Sequence, residues 1–391
     1  MAYIYKRGKK WAYRAYAGKD PVTGRDKQVS KSGFLTKKDA QLAAAIFERK
    51  FHNKEFIEPS KITFEAIYEE WERHYSVDVK ESSVRARRIA LKHIVDEFGH
   101  KPIQTITKKE YQDTIDELAA RFSSNYVSSI HTSANMVFEY ARENKLIKEV
   151  PTKDIKLPKR KRTVADLEKE HSINERFLEK EELEEFLTMT KDKGLEGDLL
   201  AFTVLAYTGI RVGEMVALKW TDVDLVELTL RIIKTYYNPT NNKKEYTLLT
   251  PKTEGSIRTV TIDPVLADLL RIHKEEQDEL KKANKPIYND DDFIFATNDG
   301  YPKTIKHIAT RMKRILDRTT IQKHVTPHSF RHTHTSLLIE ANVHIKEIQE
   351  RLGHSDINTT MDIYAHLTKN IEKEASTKFS NLMKDLSENL I

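Results

Sequence analysis

The chain has 391 residues, 39% hydrophobic and 32% charged, with 12 glycines, 11 prolines and no cysteine. That length suggests two or three domains at about 150 residues each; the composition excludes collagen-like and low-complexity chains, disulfide scaffolds, thiolate zinc sites and cysteine nucleophiles. The net charge of +6 is unevenly spread: residues 1–60 hold 14 Lys/Arg against 6 Asp/Glu and residues 61–157 hold 16 of each, so a basic module stands at one end of a near-neutral chain, as in a polyanion binder or, more simply, a solvated basic tail.

The basic module carries a fold pattern. Trp11, Tyr13 and Ala15 alternate with Ala12, Arg14 and Tyr16, the period of a strand. Asp20-Pro21-Val22-Thr23-Gly24 is turn chemistry, and a further strand from Lys27 to Lys31 puts basic side chains at alternate positions. Thr36 with Asp39 makes a capping box for a helix whose apolar residues are Ala40, Ala43, Ala44, Phe47 and Phe51. Residues 1–57 thus read as an antiparallel sheet backed by one helix. Its open face is rich in Lys, Arg and Tyr, with Arg14, Lys27 and Lys31 as candidate DNA contacts, because such a ribbon fits a major groove.

Pro59 and Ser60 mark a boundary, and residues 62–157 read as helices. Thr63 caps one bearing Phe64, Ile67 and Trp71. Ser82 and Ser83 precede one with Val84, Ile89, Leu91 and Ile94, studded with Arg85, Arg87, Arg88 and Lys92; Arg85 and Arg88 are the candidate DNA contacts. Thr107 begins a third. The last, Ser123 to Glu143, is polar on one side through Ser124, Asn125, Ser128, His131 and Asn135, either a solvated face or one resting on a sugar-phosphate backbone. Residues 158–174 form a linker opening with Lys159, Arg160, Lys161 and Arg162, also candidate DNA contacts. Residues 175–391 read as mostly helical, with a strand-rich insert from Leu228 to Ile262. The amino-terminal segment has no apolar signal stretch, and the longest apolar run, Leu199 to Ile210, is too short to span a bilayer. The expectation is a soluble cytoplasmic protein with no membrane partner.

Four features of the third region bear on chemistry. In Thr208-Gly209-Ile210-Arg211-Val212-Gly213-Glu214, one apolar helix closes at Gly209 and the next opens, placing Arg211 near backbone N–H groups that attract anions; a structural pair with Glu214 is the plainer alternative. Lys252 sits in the turn Thr250-Pro251-Lys252-Thr253-Glu254-Gly255, and taken alone it is a solvated lysine. In Thr326-Pro327-His328-Ser329-Phe330-Arg331-His332-Thr333, Pro327 suits a first helical turn. His328 and Arg331 then share a face on which they can grip a phosphate and exchange a proton. His328 and His332 have metal-ligand spacing, but Ser329 stands where the zinc-protease motif needs Glu, and Arg331 between them repels a cation. Finally, Leu352-Gly353-His354-Ser355 follows a helix, and Tyr364 lies ten residues beyond His354.

The ordered set Arg211, Lys252, His328, Arg331, His354 and Tyr364 resembles the tyrosine recombinase (phage-type integrase) family, and the likeness covers essentially the whole chain. Within it, the chain resembles integrases of temperate phages and conjugative transposons of Gram-positive bacteria. It implies a multidomain, mainly α protein with small β elements: residues 1–57, a three-stranded sheet plus helix, as an arm-type DNA-binding domain; residues 62–157 as a helical core-binding domain; residues 175–391 as an α+β catalytic domain. The activity implied is site-specific recombination through a 3′-phosphotyrosine on Tyr364, integrating and excising a mobile element, with neither metal nor ATP and so no cofactor. Glu214 matches the family's acidic residue three after the first arginine, supporting it. The implied partners are double-stranded DNA at core and arm sites, a homotetramer, an excisionase and a DNA-bending host protein. Phe379, Leu382, Met383, Leu386 and Leu390 form a stripe that, by the same resemblance, docks on a neighbouring protomer. Two alternatives are a non-catalytic DNA-binding regulator on this scaffold, which leaves the six matched positions unexplained, and a type IB topoisomerase-like enzyme, which has no use for residues 1–57.

Overall fold

A computed structural model describes residues 2–19, 25–53, 60–158, 177–251, 254–353 and 361. The chain divides into two compact units, Met1–Lys161 and Arg162–Ile391, and the division falls within the basic stretch expected to be a linker.

The first unit opens with a three-stranded antiparallel sheet, β1 (Tyr3–Arg7), β2 (Lys10–Lys19) and β3 (Asp26–Phe34), in that order. Helix α1 (Lys37–His52) covers one face; its capping box forms as expected, with Thr36 Oγ1 accepting from Asp39 N and Asp39 accepting from Thr36 N. Tyr13 and Ala15 pack on Ala44 and Phe47 beneath it. The strict alternation expected in β2 fails at a bulge between Trp11 and Ala12, so Ala12 and Tyr13 are both buried. Register also redistributes the basic residues. Lys31 pairs with Tyr13, on the face that meets α1, whereas Arg14 pairs with Tyr3 and Ser30 on the open face. Lys27 shares the face of Val29 and Lys31, because side chains repeat every second residue. The open face is therefore led by Tyr3, Tyr5 and Arg14, with Arg14 over the Tyr5 ring at 5.8 Å.

Four helices follow: α2 (Phe64–Asp78), α3 (Glu81–Phe98), α4 (Lys108–Arg121) and α5 (Ser124–Glu143). Thr63, Thr107 and Ser123 cap α2, α4 and α5 through side-chain oxygens. Their core is Phe64, Ile67, Trp71, Leu91, Ile94, Tyr111, Ile115 and Phe138, among others. Part of the polar side of α5 is internal. His131 Nδ1 lies 3.2 Å from Tyr111 OH, and Asn135 Oδ1 accepts from Thr152 Oγ1 at 2.6 Å. Burial holds the His131 imidazole below the ordinary histidine range, as befits a neutral ring.

In the second unit, α6 (Lys180–Lys193) and the almost wholly buried α7 (Asp198–Thr208) precede a five-residue α8 (Val212–Val216). Strands β4 (Val223–Asp224), β5 (Thr229–Ile232) and β8 (Arg258–Thr261) form an antiparallel sheet in the order β4-β5-β8. Between β5 and β8, β6 (Thr235–Tyr237) and β7 (Thr247–Leu249) make a two-stranded hairpin. Helices α9 (Pro264–Ala283), α10 (Ile305–Leu316), α11 (Ser329–Glu340) and α12 (Ile345–Leu352) complete the described part. Phe330 anchors the start of α11 in the core, its ring 5.4 Å from Phe186 and 5.8 Å from Phe202. Among the described residues no helix is long and apolar enough to cross a membrane.

Candidate active site

Local chemistry brings four expected residues to one place. Gly209 ends α7 in the left-handed conformation, φ 63°. A Cβ there would come within 2.6 Å of the His334 ring and 2.7 Å of Leu352 Cδ2, so the turn requires glycine on both conformational and steric grounds. Arg211 is the N-cap residue of α8. Its backbone N–H donates to Glu214 Oε2 at 3.0 Å and its guanidinium Nη1 to Oε1 at 2.7 Å. The Arg211 side chain is 38% exposed and that of Glu214 only 3%. The pairing with Glu214 thus exists, and it leaves much of Arg211 accessible. With only five residues, α8 contributes little dipole, so Arg211's own charge is what an anion would meet.

The His328-x-x-Arg331 pair stands at the start of α11. The helix begins at Ser329, later than Pro327 suggested, and His328 is its N-cap; Ser329 Oγ accepts from Thr326 N at 3.0 Å. Arg331 is 2% exposed. Its Nη1 donates to Gly209 O at 3.0 Å and its Nη2 to Leu352 O at 2.7 Å, tying the end of α7 to the end of α12. Burial, reinforced by the charge of Arg211, pushes the Arg331 guanidinium down to about 9, still protonated at neutral pH. His328 is exposed, its ring perpendicular to that of His332 with centroids 5.0 Å apart. Desolvation and the charges of Arg331 and Arg211 hold its imidazole below the ordinary range. Near neutral pH it is therefore unprotonated and able to accept a proton.

Three further residues were missed by sequence reasoning. Arg258, at the start of β8, donates through Nη2 to Glu214 Oε2 at 3.0 Å, through Nη1 to Ser256 O at 3.0 Å and through Nε to Arg351 O at 2.7 Å. Burial disfavours the Glu214 carboxylate, but Arg258 and Arg211 outweigh it and hold that group below the usual carboxylate range. His334 is buried; its Nδ1 lies 2.8 Å from Ala206 O, and its Nε2 accepts from Arg351 Nε at 3.1 Å. Those partners fix the tautomer with hydrogen on Nδ1. Desolvation, with the charge of Arg351, pushes His334 down to about 4. The terminal carbonyls of α12 and its cap are thus each taken by the site: Arg351 O by Arg258, Leu352 O by Arg331, and Gly353 O by Ser256 Oγ at 3.4 Å. Gly353 leaves α12 in the left-handed conformation, φ 67°.

Lys252, His354 and Tyr364 lie outside the described residues, as do Lys159, Arg160, Lys161 and Arg162 and the apolar stripe from Phe379 to Leu390. The short turn Glu254–Ser256 that follows Lys252, and Gly353 that precedes His354, both adjoin Arg258. In the first unit Arg85 and Arg88 are both exposed, but Arg88 is paired within its own domain, its Nε donating to Glu72 Oε1 at 2.9 Å. Arg87 donates to Ser133 Oγ at 3.2 Å. Among the described residues no group of His, Asp or Glu is arranged to hold a metal ion.

Comparison with known proteins gives three family matches in chain order: the arm DNA-binding domain at residues 3–51, the phage integrase N-terminal SAM-like domain at 63–119, and the phage integrase family at 176–370. The integrase of Staphylococcus phage L54a is 30% identical over 346 residues, 86% of this chain and 98% of that protein. The ICEBs1 integrase of Bacillus subtilis is 30% identical over 369 residues, 94% and 95% of the two chains. Among solved structures, the Tn1549 transposon integrase in complex with transposon right end DNA superposes with a TM-score of 0.64 at 20% identity, over 82% of this chain and all of that one. At that identity the likeness speaks for the fold.

Proposed function

That the chain belongs to the phage integrase family, and is a tyrosine-type site-specific DNA recombinase, is the premise from which we propose how its own residues exchange strands. Tyr364 is the nucleophile. Its phenolic oxygen attacks the scissile phosphorus, the bond to the 5′ oxygen breaks, and a 3′-phosphotyrosine and a free 5′-hydroxyl result. The 5′-hydroxyl of a partner duplex then attacks that linkage and releases Tyr364. Covalent catalysis splits one exchange into two equivalent steps, and the phosphotyrosine conserves the phosphodiester, so no nucleotide is consumed.

The observation that carries this assignment is the convergence of Arg211, Arg331 and His328 on the joined ends of α7, α11 and α12. Negative charge grows on the non-bridging oxygens in the transition state, and fixed guanidiniums meet it without reorganising. Arg211, partly exposed, grips the phosphate; Arg331, locked between two carbonyls, supplies charge from beneath. His328 takes the tyrosine proton, a role its lowered pKa favours. Lys252 protonates the departing 5′ oxygen and His354 donates a hydrogen bond to the phosphate. Glu214 orients Arg211 through both its backbone and its side chain.

The partner is double-stranded DNA. Residues 62–157 bind the core site and residues 1–57 an arm site, with Tyr3, Tyr5 and Arg14 on the face presented to it. Residues 158–174 track the backbone through Lys159, Arg160, Lys161 and Arg162, and Arg85 contacts phosphate more freely than Arg88. Residues 175–391 cleave, and their terminal stripe docks on a neighbouring protomer in a homotetramer, aided by an excisionase and a DNA-bending host protein. No observation favours a non-catalytic regulator or a relaxing topoisomerase. The test is Tyr364→Phe on a nicked suicide duplex: DNA binding persists and the SDS-stable adduct disappears. An adduct that survives the substitution would mean another nucleophile.

A further inference from the structure

We propose that Arg258 is a positioning residue for strand cleavage: by sharing Glu214 with Arg211 it leaves the charge of Arg211 available to the scissile phosphate. The proposal rests on the reading of Arg211 as the residue that grips that phosphate.

Arg258 opens β8, 44 residues from Glu214 in sequence, yet its guanidinium is only 6% exposed and donates from Nε, Nη1 and Nη2 alike. Two of the three acceptors are the backbone oxygens of Arg351 and Ser256, which fix the plane of the fork. The third is Glu214 Oε2, which also accepts from Arg211 N. The carboxylate therefore stands between two arginines, one with its side chain almost enclosed and one partly open.

Charge decides what this arrangement does. Arg211 and Glu214 alone would form a neutral pair. A buried carboxylate with a single cation would hold that cation tightly, because in a poorly solvated site nothing else balances it. Glu214 would then compete with DNA for Arg211. With Arg258 the trio carries one net positive charge, and the exposed member is Arg211. Arg258 is too enclosed and too fully engaged with protein acceptors to meet DNA itself, so its effect reaches the phosphate through Arg211. Its other contacts reinforce the location, since Ser256 follows the turn that carries Lys252 and Arg351 lies three residues before His354.

The test uses the full chain in single-turnover cleavage of a nicked suicide duplex at saturating protein. The scissile group is either an ordinary phosphodiester or a methylphosphonate, which is neutral. On the phosphodiester, Arg258→Met slows cleavage on the order of 10- to 100-fold, the scale of a misplaced catalytic group, with DNA affinity retained. On the methylphosphonate that deficit shrinks at least about tenfold, as does that of Arg211→Ala, because no phosphate charge remains to be met. Arg258→Lys, which keeps the charge beside Glu214, stays within about tenfold of the unaltered protein on the phosphodiester. The double variant Arg211→Ala/Arg258→Met is no slower than Arg211→Ala alone, since residues acting through one another are not additive. The proposal is overturned if Arg258→Met cleaves normally, if its deficit is equal on both substrates, if Arg258→Lys is as slow as Arg258→Met, or if the double variant is slower than Arg211→Ala. A deficit of Arg211→Ala that is equal on both substrates contradicts the reading of Arg211, and the double variant then still judges whether Arg258 acts through it.

Discussion

Acidification should loosen the catalytic domain through His334, by an amount the structure fixes in sign and scale. In the folded chain this imidazole is buried with its Nε2 facing the Arg351 guanidinium, and it protonates only at about 4. In the unfolded chain a histidine protonates near 6.5. Between those values the unfolded state binds the extra proton, so stability falls as pH drops from about 6.5 towards 4. A separation of about 2.5 units, at roughly 1.4 kcal/mol each, gives about 3 kcal/mol lost by the lower limit. Because the chain has more than one domain, a single unfolding curve would mix transitions. The three tryptophans, Trp11, Trp71 and Trp220, however, fall one to each expected domain. A chain carrying Trp11→Phe and Trp71→Phe leaves Trp220, whose Nε1 donates to Gln277 Oε1 at 2.6 Å, as reporter of the catalytic domain. Urea unfolding followed at Trp220 between pH 7 and 4.5 should show the loss, and His334→Phe, which cannot titrate, should flatten the slope in that window, leaving the share of His273, His307 and His328, whose imidazoles are also held low. If the slope is the same with phenylalanine at 334, some other group is responsible and the buried His334–Arg351 contact is wrongly drawn.

Other outcomes follow from the same geometry. Arg331→Ala should reduce cleavage by at least about 100-fold and destabilise the domain by about 1–3 kcal/mol for each carbonyl left unpaired, Gly209 O and Leu352 O; single-turnover cleavage and urea unfolding measure the two separately. The cleavage rate should fall on the acid side of a pKa below 6.5, because His328 must be unprotonated and its imidazole is held below that value; a pH–rate profile with His328→Gln, lacking that limb, checks it. Cleavage should persist in excess EDTA, since arginines meet the phosphate charge, and activity that dies in chelator and returns with zinc would refute this. A chain starting at Lys61 should still form the adduct on an isolated core site. On full attachment DNA it should show a salt slope shallower by about 0.9 for each arm phosphate lost, and equal recombination with and without residues 1–57 would remove their arm-binding role.

What sequence could and could not convey follows from distance along the chain. Caps and motif turns were legible because they are local: Thr36 with Asp39, Thr107 opening its helix, Gly209 closing α7 and His328 three residues before Arg331 all act within one helical turn. The partners of Arg331 are 122 and 21 residues away, and Arg258 reaches Glu214 across 44 and Arg351 across 93. No periodicity encodes such pairs; Arg258 reads only as a polar residue beginning a strand. Polarity alone also misled in α5, where His131 and Asn135 turned inward because buried partners satisfy them. In β3 the alternation of Lys27 and Lys31 was right, but which face they share depends on pairing with β2 and on the bulge at Trp11/Ala12.

The most direct test of the account is to trap the protein on a nicked suicide duplex, digest it and locate the DNA-linked peptide by mass spectrometry. The account predicts a nucleotide joined through its 3′ phosphate to the phenolic oxygen of Tyr364, with a free 5′-hydroxyl on the released strand. A link to any other residue, a 5′-phosphate linkage, or hydrolysed ends with no adduct would contradict it.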